Sequence, residues 1–306
     1  MDAQQILDIA FREAKKMSNK TTIRKKGEAK YIEMDLIKLN VANSIAIGYL
    51  NAYIKQASYE LTEFEKELMG TLINVHEKNK QVEKIKSVIK ILKKLKSEYE
   101  MKIKYSEHKK QSNKERTAFY GRMSSLIKKL KFDAIESFTA ELGTIPKIKK
   151  MDTIIIAGYP NVGKSQILKT MSGHKIKTAA YPFTTKELLI GFAKNRYSEF
   201  QLIDTPGILD RPIEKRNEIE QKALFAMKYI SKNILFVVDP SETCGYSLED
   251  QMNLKREIEK KFNPKMFTVA TKKDIKNVDI NADFMINAKN KEDVNQLRLL
   301  ITKYFF

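Results

Sequence analysis

The stretch that decides the fold is "TIIIAGYPNVGKSQILKTMSG", residues 153–173. Its apolar first part is typical of a buried strand, and a helical pattern begins at Lys164 after a turn that contains glycine. Glycines at 158 and 163 allow backbone N–H groups to approach phosphate oxygens, and the start of the helix adds positive potential. The glycine spacing before Lys164 and Ser165 predicts a phosphate-binding loop, which this context favours over a chance glycine-rich turn.

The phosphate-binding loop predicts contacts with a nucleotide and its magnesium ion. We expect Lys164 to reach the β- and γ-phosphates and the Ser165 hydroxyl to ligate Mg²⁺. The residues of this segment expected to contact the nucleotide are Gly158, Asn161, Val162, Gly163, Lys164, Ser165 and Gln166.

A second motif, "FQLIDTPGILDRP" (200–212), follows about forty residues later. A predicted strand ends at Asp204, a position from which a carboxylate can hold Mg²⁺, often through water, and the N–H of Gly207 can meet a γ-phosphate. An ordinary Pro-Gly turn after a strand is the alternative, and the preceding phosphate-binding loop disfavours it.

Two neighbouring hydroxyls, Thr184 and Thr185, lie between these motifs in "AAYPFTTKELLIG" (179–191). We expect one of them, with a slight preference for Thr185, to ligate Mg²⁺ when a γ-phosphate is present, in a loop ordered by the triphosphate. Two threonines that simply begin a strand are the alternative.

The stretch "VATKKDIKNV" (269–278) raises the question of which base is bound. The carboxylate of Asp274 can accept both guanine N1–H and the 2-amino group, a donor pair that adenine lacks. The stem of Lys272 can cover the base, and Thr271 can tie this loop to the phosphate-binding loop. In "FMINAKNKED" (284–293), the N–H of Ala288 can meet guanine O6, flanked by Asn287 and Lys289. The motif order favours guanine over a solvated charged turn.

The chain divides at its prolines. All seven lie at or after Pro146, so residues 1–145 can be almost entirely helical, and their apolar spacing predicts a basic bundle of four or five helices. Residues 146–152 are interpreted as a linker. From residue 153 to 306, short apolar runs alternate with amphipathic stretches, which predicts an α/β domain with a mostly parallel sheet and helices on both faces.

Composition narrows the choice of partners and compartment. The formal net charge is +19, of which residues 1–150 carry +13. Such an excess favours a polyanionic partner, nucleic acid or an acidic membrane, with nucleic acid preferred, and solvated helix faces of a generally lysine-rich protein are the alternative. The single cysteine, Cys244, favours a reducing compartment, and we find neither a secretory signal nor an apolar run long enough to span a membrane. A cytoplasmic protein is expected.

Residues 151–306 resemble a GTPase domain of the translation-factor-related class. The segments "YPFTTK" (181–186), "DTPGILDRPIEKRNEIEQKAL" (204–224) and "DPSETCGYSLEDQ" (239–251) are similar to the nucleolar GTP-binding protein 1 (Nog) family, relatives of the Obg P-loop GTPases. The opening "ILDIAFREAKK" resembles that family's helical domain. The resemblance is closest to an archaeal-type, minimal member, which is expected to lack the C-terminal extension of eukaryotic members.

The resemblance implies a GTP-hydrolysing switch that acts in assembly of the large ribosomal subunit, with contacts to ribosomal RNA and proteins. It places the catalytic roles on Lys164, Ser165, Thr185, Gly207 and Asn161. Ile208 stands where related enzymes have a water-orienting glutamine, and because isoleucine cannot hydrogen-bond water, we expect slow intrinsic hydrolysis. Asn161 matches an asparagine that helps bind K⁺ in related GTPases, so K⁺ is a further candidate cofactor beside GTP, GDP and Mg²⁺.

Two alternatives remain open. One is a GTP-binding scaffold on the ribosome whose hydrolysis is too slow to matter, and Ile208 is the residue that supports it. A membrane-associated GTPase is the weaker alternative, because we see no amphipathic segment with an aromatic-rich apolar face.

Overall fold

The structure is a computed structural model that describes residues 1–173, 175–182, 187–194, 199–275 and 280–306, without the side chains of Lys215 and Ile219. The described chain divides into two compact units. The first comprises Met1–Glu60 and Ile73–Glu141, and the second comprises Leu61–Leu72 and Leu142–Phe306. Each unit is built around buried apolar side chains of its own.

The first unit is a helical bundle, as the proline distribution predicts. Its helices are α1 (Ala3–Lys20), α2 (Glu28–Ala57), α4 (Val75–Lys104), α5 (Lys109–Ile127) and most of α6 (Asp133–Thr144). Asp2 and Gln5 form a capping box at the start of α1, and the Asn74 side chain accepts the N–H of Glu77 at the start of α4. These caps satisfy backbone donors that the first turn of a helix leaves without partners.

Helix α2 is central to this bundle and packs against α1, α4 and α5. Ala42 and Ala46 are fully buried along it, and such small side chains let neighbouring helices approach closely. The core between these helices also contains Leu7, Leu92 and Phe119, each almost fully buried. In the described parts of the chain, no helix has the length and apolar character needed to cross a membrane.

The second unit contains a mostly parallel sheet. Its strands are β1 (Thr153–Ala157), β2 (Ile176–Ala179), β3 (Leu188–Lys194), β4 (Glu199–Asp204), β5 (Asn233–Val238), β6 (Lys265–Ala270) and β7 (Phe284–Met285). Among the described residues they form one sheet in the order β2-β3-β4-β1-β5-β6-β7. The pairs from β4 through β7 are parallel, whereas β2–β3 and β3–β4 are antiparallel.

Strand β1 lies inside the sheet between β4 and β5, and all five of its residues are buried. The helices of this unit that follow are α7 (Lys164–Ser172), α8 (Glu218–Ala226), α9 (Leu248–Phe262) and α10 (Lys291–Phe305). Because β4, β1, β5 and β6 are parallel, their carboxyl ends meet at one edge of the sheet, where ligands of such folds bind. Most of the predicted site residues in the described ranges lie in the loops that leave this edge or in the first turn of α7.

Helix α3 (Glu63–Leu72) belongs to the second unit, although it comes from the helical half of the sequence. It packs against α8, and the Phe64 ring stacks on Tyr181 with centroids 6.3 Å apart. Phe64 and Leu68 lie four residues apart on its buried face. We expected residues 1–145 to form a single bundle, so this helix departs from that expectation, because its apolar face is buried among residues of the second unit.

Candidate nucleotide-binding site

The phosphate-binding loop connects β1 to α7 in a conformation that requires its glycines. Gly158 has φ 137°, and a Cβ there would lie 2.3 Å from the carbonyl oxygen of Val237. Gly163 has φ 107° and caps α7. Asn161 also has positive φ, at 62°, and its exposed side chain makes no hydrogen bond with a described residue. A side chain at 158 would therefore clash with Val237, and at 163 the positive φ is one that residues with a side chain rarely adopt.

Lys164 is buried, with 6% of its surface exposed. Its Nζ donates to the carbonyl oxygens of Gly158 and Tyr159, each at 2.7 Å. These carbonyls hold the ammonium inside the loop, so the positive charge lies among the backbone groups predicted to surround the phosphates.

Ser165 and Asp204 meet between α7 and the end of β4. The Ser165 hydroxyl donates to Asp204 Oδ2 at 2.5 Å, while Asp204 Oδ1 is buried and has no hydrogen-bond partner among the described residues. Burial raises the pKa of the Asp204 carboxyl above its ordinary value, although Lys164 and Ser165 oppose that shift. A hydroxyl beside an unsatisfied carboxylate oxygen is a donor set that suits Mg²⁺. The residues present therefore fit that ion. Thr184 and Thr185 lie outside the described residues.

The backbone N–H of Gly207 already has an acceptor in this structure. It donates to Asp210 Oδ2 at 2.6 Å. The buried guanidinium of Arg216 holds the same turn from the other side, donating to the carbonyls of Gly207 at 3.0 Å and Ile208 at 2.5 Å. Burial lowers the pKa of Arg216, and its Nε has no hydrogen-bond partner among the described residues. Asp210 and Arg216 therefore hold the turn after β4 in place by hydrogen bonds.

Ile208 is 1% exposed. Its side chain is therefore packed in the interior and is not presented to solvent, and it carries no group that could orient a water molecule. The sequence analysis identified the residue type, and the structure adds its burial.

The predicted base-reading loop lies against the phosphate-binding loop. Thr271 is fully buried, and its hydroxyl donates to the carbonyl of Val162 at 2.6 Å, the tie that the sequence analysis expects. A Cβ on Gly163 would lie 3.4 Å from Thr271 Cγ2 and 3.7 Å from Ala288 Cβ, so these three residues are close neighbours. Asp274 is exposed and makes no hydrogen bond with a described residue. Its acceptor oxygens are available to a ligand.

The second segment predicted to contact the base is fixed by Asp293. One oxygen of this carboxylate accepts the N–H of Asn287 at 2.7 Å, and the other accepts Lys273 Nζ at 2.6 Å. Burial acts to raise the pKa of Asp293, but these bonds outweigh it and the pKa lies below its ordinary value. The Asn287 side chain accepts the N–H of Lys289, as a serine hydroxyl could, so the departure at Asn287 preserves the turn. Asp293 thus joins both base-contacting segments.

The structure brings most predicted site residues together at the carboxyl edge of the sheet. Gln166 lies one turn into α7, where its side chain bonds Thr170 at 3.3 Å. The sequence alone assigned no role to Asp210, Arg216, Asp239 or Asp293. The available signal for Asp239 was the apolar run "ILFVVD" (234–239), which ends in an acid just as the run before Asp204 does.

Comparison with known proteins gives consistent matches. The family model described as NOG1 N-terminal helical domain matches residues 1–149, and the one described as 50S ribosome-binding GTPase matches residues 153–272. An uncharacterized protein of Methanocaldococcus jannaschii is 36% identical over 71% of this chain and 61% of its own length. Nucleolar GTP-binding protein 1 of Saccharomyces cerevisiae is 33% identical over 69% of this chain and 33% of its own length.

Among solved structures, one described as a nucleolar GTP-binding protein 1 from Plasmodium falciparum has a TM-score of 0.46 at 28% identity, covering 53% of this chain and 90% of that one. The sheet, the phosphate-binding loop and the GTPase family match define a P-loop GTPase domain preceded by a helical unit. The two family models together match 1–149 and 153–272, and the chain belongs to the nucleolar GTP-binding protein 1 family. It spans less than two thirds of the length of these two relatives.

Proposed function

We propose that this protein binds and hydrolyses GTP and acts as a switch in assembly of the large ribosomal subunit. The observation that carries the proposal is the convergence of three parts at one edge of the sheet: the phosphate-binding loop, the Ser165–Asp204 pair and the loop that Thr271 ties to Val162. The match to a 50S ribosome-binding GTPase family and the nucleolar relatives support the choice of target.

Guanine is the base that this site suits. Asp274 offers an exposed carboxylate to the N1–H and 2-amino donors of guanine, which adenine does not present together. The Lys272 stem would cover the face of the ring, and the N–H of Ala288 would meet O6. Both segments are held in place by hydrogen bonds within the described chain.

Hydrolysis transfers the γ-phosphoryl group of GTP to water, and the residues contribute position and charge to that reaction. Lys164 would lie against the β- and γ-phosphates. Ser165 and Asp204 would hold Mg²⁺, which when bound offsets the charge of the phosphate oxygens, and Thr185 is the third proposed ligand. Because Ile208 supplies no group to orient water, intrinsic turnover is slow and a group from elsewhere accelerates it.

The Asp210 contact offers a mechanism for sensing the γ-phosphate. An N–H donor satisfies one acceptor in a short linear bond, so the carboxylate of Asp210 and a γ-phosphate would compete for the N–H of Gly207. Binding of GTP would release Asp210 from Gly207, whereas GDP would leave the bond intact. The turn between Gly207 and Arg216 would then differ between the two nucleotide states.

Helix α3 packs against the start of the predicted switch segment within the second unit. Tyr181, which begins the segment that contains Thr184 and Thr185, donates its hydroxyl to the carbonyl of Ala223 in α8 at 2.5 Å. Phe64 of α3 stacks on the same ring. We propose that the basic helices of the first unit bind pre-ribosomal RNA or protein.

The experiment that tests this function measures nucleotide binding and turnover by the purified chain with Mg²⁺. We expect GTP and GDP to bind and ATP to bind at least about a hundredfold more weakly, because the donor pair read by Asp274 is missing. Lys164→Ala should abolish measurable hydrolysis, and the exposed Lys169→Ala on the same helix serves as a matched control. Equal affinity for ATP and GTP would contradict the proposal.

Potassium is a separate part of the proposal. Asn161 has an exposed side chain beside the phosphates' proposed position, so a monovalent cation bound there would add positive charge. Turnover should be faster in KCl than in NaCl, and Asn161→Ala should remove the difference. Equal rates in the two salts would remove K⁺ from the mechanism.

A scaffold that binds GTP without relevant turnover is the second candidate, and the buried Ile208 is the observation that favours it. Turnover measured on assembling large subunits separates the two functions. Stimulation by the subunit supports the switch, and its absence in the presence of tight GTP binding supports the scaffold.

A further inference from the structure

The loop after β5 is organised around a single carboxylate. Asp239 is fully buried at the end of that strand. One of its oxygens accepts the N–H of Ser241 at 3.0 Å and that residue's hydroxyl at 2.5 Å. The other accepts the N–H of Cys244 at 2.8 Å and the hydroxyl of Thr243 at 3.2 Å. Four donors from residues 241–244 therefore surround this side chain.

The fifth donor comes from a different segment, the base-reading loop. Lys272 Nζ lies 2.6 Å from Asp239 Oδ2 and 2.8 Å from the hydroxyl of Thr243. Lys272 adopts φ 57°, a left-handed conformation uncommon for a residue with a side chain. Its backbone and its ammonium are thus both fixed, although the two segments lie 33 residues apart.

We propose that Asp239 is the positioning residue for base recognition: by holding the ammonium of Lys272, it fixes the aliphatic stem of that lysine where the guanine ring would pack. This inference rests on the proposed function. It adds to that function a residue outside the base-reading loop, in the neighbouring strand, that sets affinity for the base without touching it.

The physical reason is the freedom of the lysine side chain. An unanchored lysine has four rotatable bonds, and ordering them on ligand binding reduces affinity. A charge-assisted bond to a buried carboxylate orders the stem before the ligand arrives. Burial acts to raise the pKa of Asp239, but the bonds from Lys272 and Ser241 outweigh it, so the carboxyl stays ionised near neutral pH.

Because four of its donors come from its own loop, Asp239 has an alternative, purely structural role. In that role Asp239 would only stabilise the loop 239–244, and its bond to Lys272 would not affect nucleotide binding. The two roles differ in one respect: a positioning role requires Lys272 to be present, whereas a purely structural role does not. A double-mutant cycle measures that dependence.

The test compares GDP and GTP affinities of the wild-type chain, Asp239→Asn, Lys272→Met and the double variant. Methionine keeps an apolar stem and removes the ammonium, and Asp239 retains its other donors, so this variant preserves the fold. We expect each single change to raise both dissociation constants about tenfold, with the GTP-to-GDP ratio unchanged because the base is common to both nucleotides. The double variant should be no weaker than either single one.

Controls separate the possible failures. Glu259→Gln, which alters an exposed carboxylate 3.8 Å from Lys255, should bind as the wild type does. Lys272→Met with wild-type affinity, or losses that add in the double variant, would overturn the inference. If Asp239→Asn does not fold, wild-type affinity of Lys272→Met still overturns the inference. If the wild-type chain binds no guanine nucleotide, the proposed function fails, which is a different result.

Discussion

Asp210 holds the N–H that the proposed mechanism assigns to the γ-phosphate. The bond is 2.6 Å long and charge-assisted, and bonds of this type contribute about 1.5–3 kcal/mol. Asp210→Ala removes the competing acceptor, so the affinity for a non-hydrolysable GTP analogue should rise relative to that for GDP by roughly tenfold or more. Titration of both nucleotides against the variant and the wild type measures this ratio.

The matched control for that experiment is Glu214→Ala, which removes an exposed carboxylate from the turn that follows. It should leave the ratio of the two affinities unchanged. Arg216 keeps its bonds to the carbonyls of Gly207 and Ile208 in the Asp210 variant, so the turn itself should persist. A ratio that stays at the wild-type value, or shifts toward GDP, would show that Asp210 does not compete with the γ-phosphate.

The roles of individual residues were predicted best where they follow from the local sequence motif. The hydroxyl of Thr271 was expected to tie two loops, and it does so through Val162. The roles of Asp210, Asp239 and Asp293 could not be read in the same way. Each of these carboxylates is buried and accepts a backbone N–H, and a sequence shows neither burial nor the direction of a side chain.

Helix α3 gives the clearest prediction at the scale of an element. Phe64 is 5% exposed and stacks on Tyr181, so Phe64→Ala should lower the free energy of unfolding of the second unit by about 3 kcal/mol. Hydrogen–deuterium exchange should show faster exchange in α3 and α8, with α1 and α2 unchanged. This follows because α3 packs against α8 within the second unit.

Tyr59→Ala is the control for α3, because Tyr59 is half exposed shortly before that helix. Surface changes of this kind usually alter stability by about 0.5 kcal/mol or less. The assignment of α3 would be contradicted if Phe64→Ala loosened α1 and α2 and left α8 protected.

The elements themselves were largely predictable, whereas their partners were not. Residues 1–145 were expected to be almost entirely helical because they contain no proline, and helices α1 to α6 occupy most of that stretch. For α3, the spacing of Phe64, Leu68 and Met69 marks an apolar face, but periodicity does not say what covers that face. The placement of α3 with α8 depends on long-range packing, which has no local signature.

At the scale of the whole molecule, charge is divided unevenly along the chain. Residues 1–150 carry +13 of the net +19, while the proposed nucleotide site lies in the remainder. Binding to an RNA partner through this excess would weaken steeply as salt concentration rises, because counterions are released on binding. The proposed function therefore has two measurable properties: RNA affinity that falls with salt concentration, and control of that affinity by the bound nucleotide.

The measurement that tests this account most directly is co-sedimentation of the full chain with large ribosomal subunits, in the presence of a non-hydrolysable GTP analogue or GDP. The account predicts tight association with the analogue and weak association with GDP. It also predicts that Asp210→Ala reduces the difference in ribosome association between the two nucleotide states. Equal association in both nucleotide states, or no association in either, would contradict a GTP-controlled role on the ribosome.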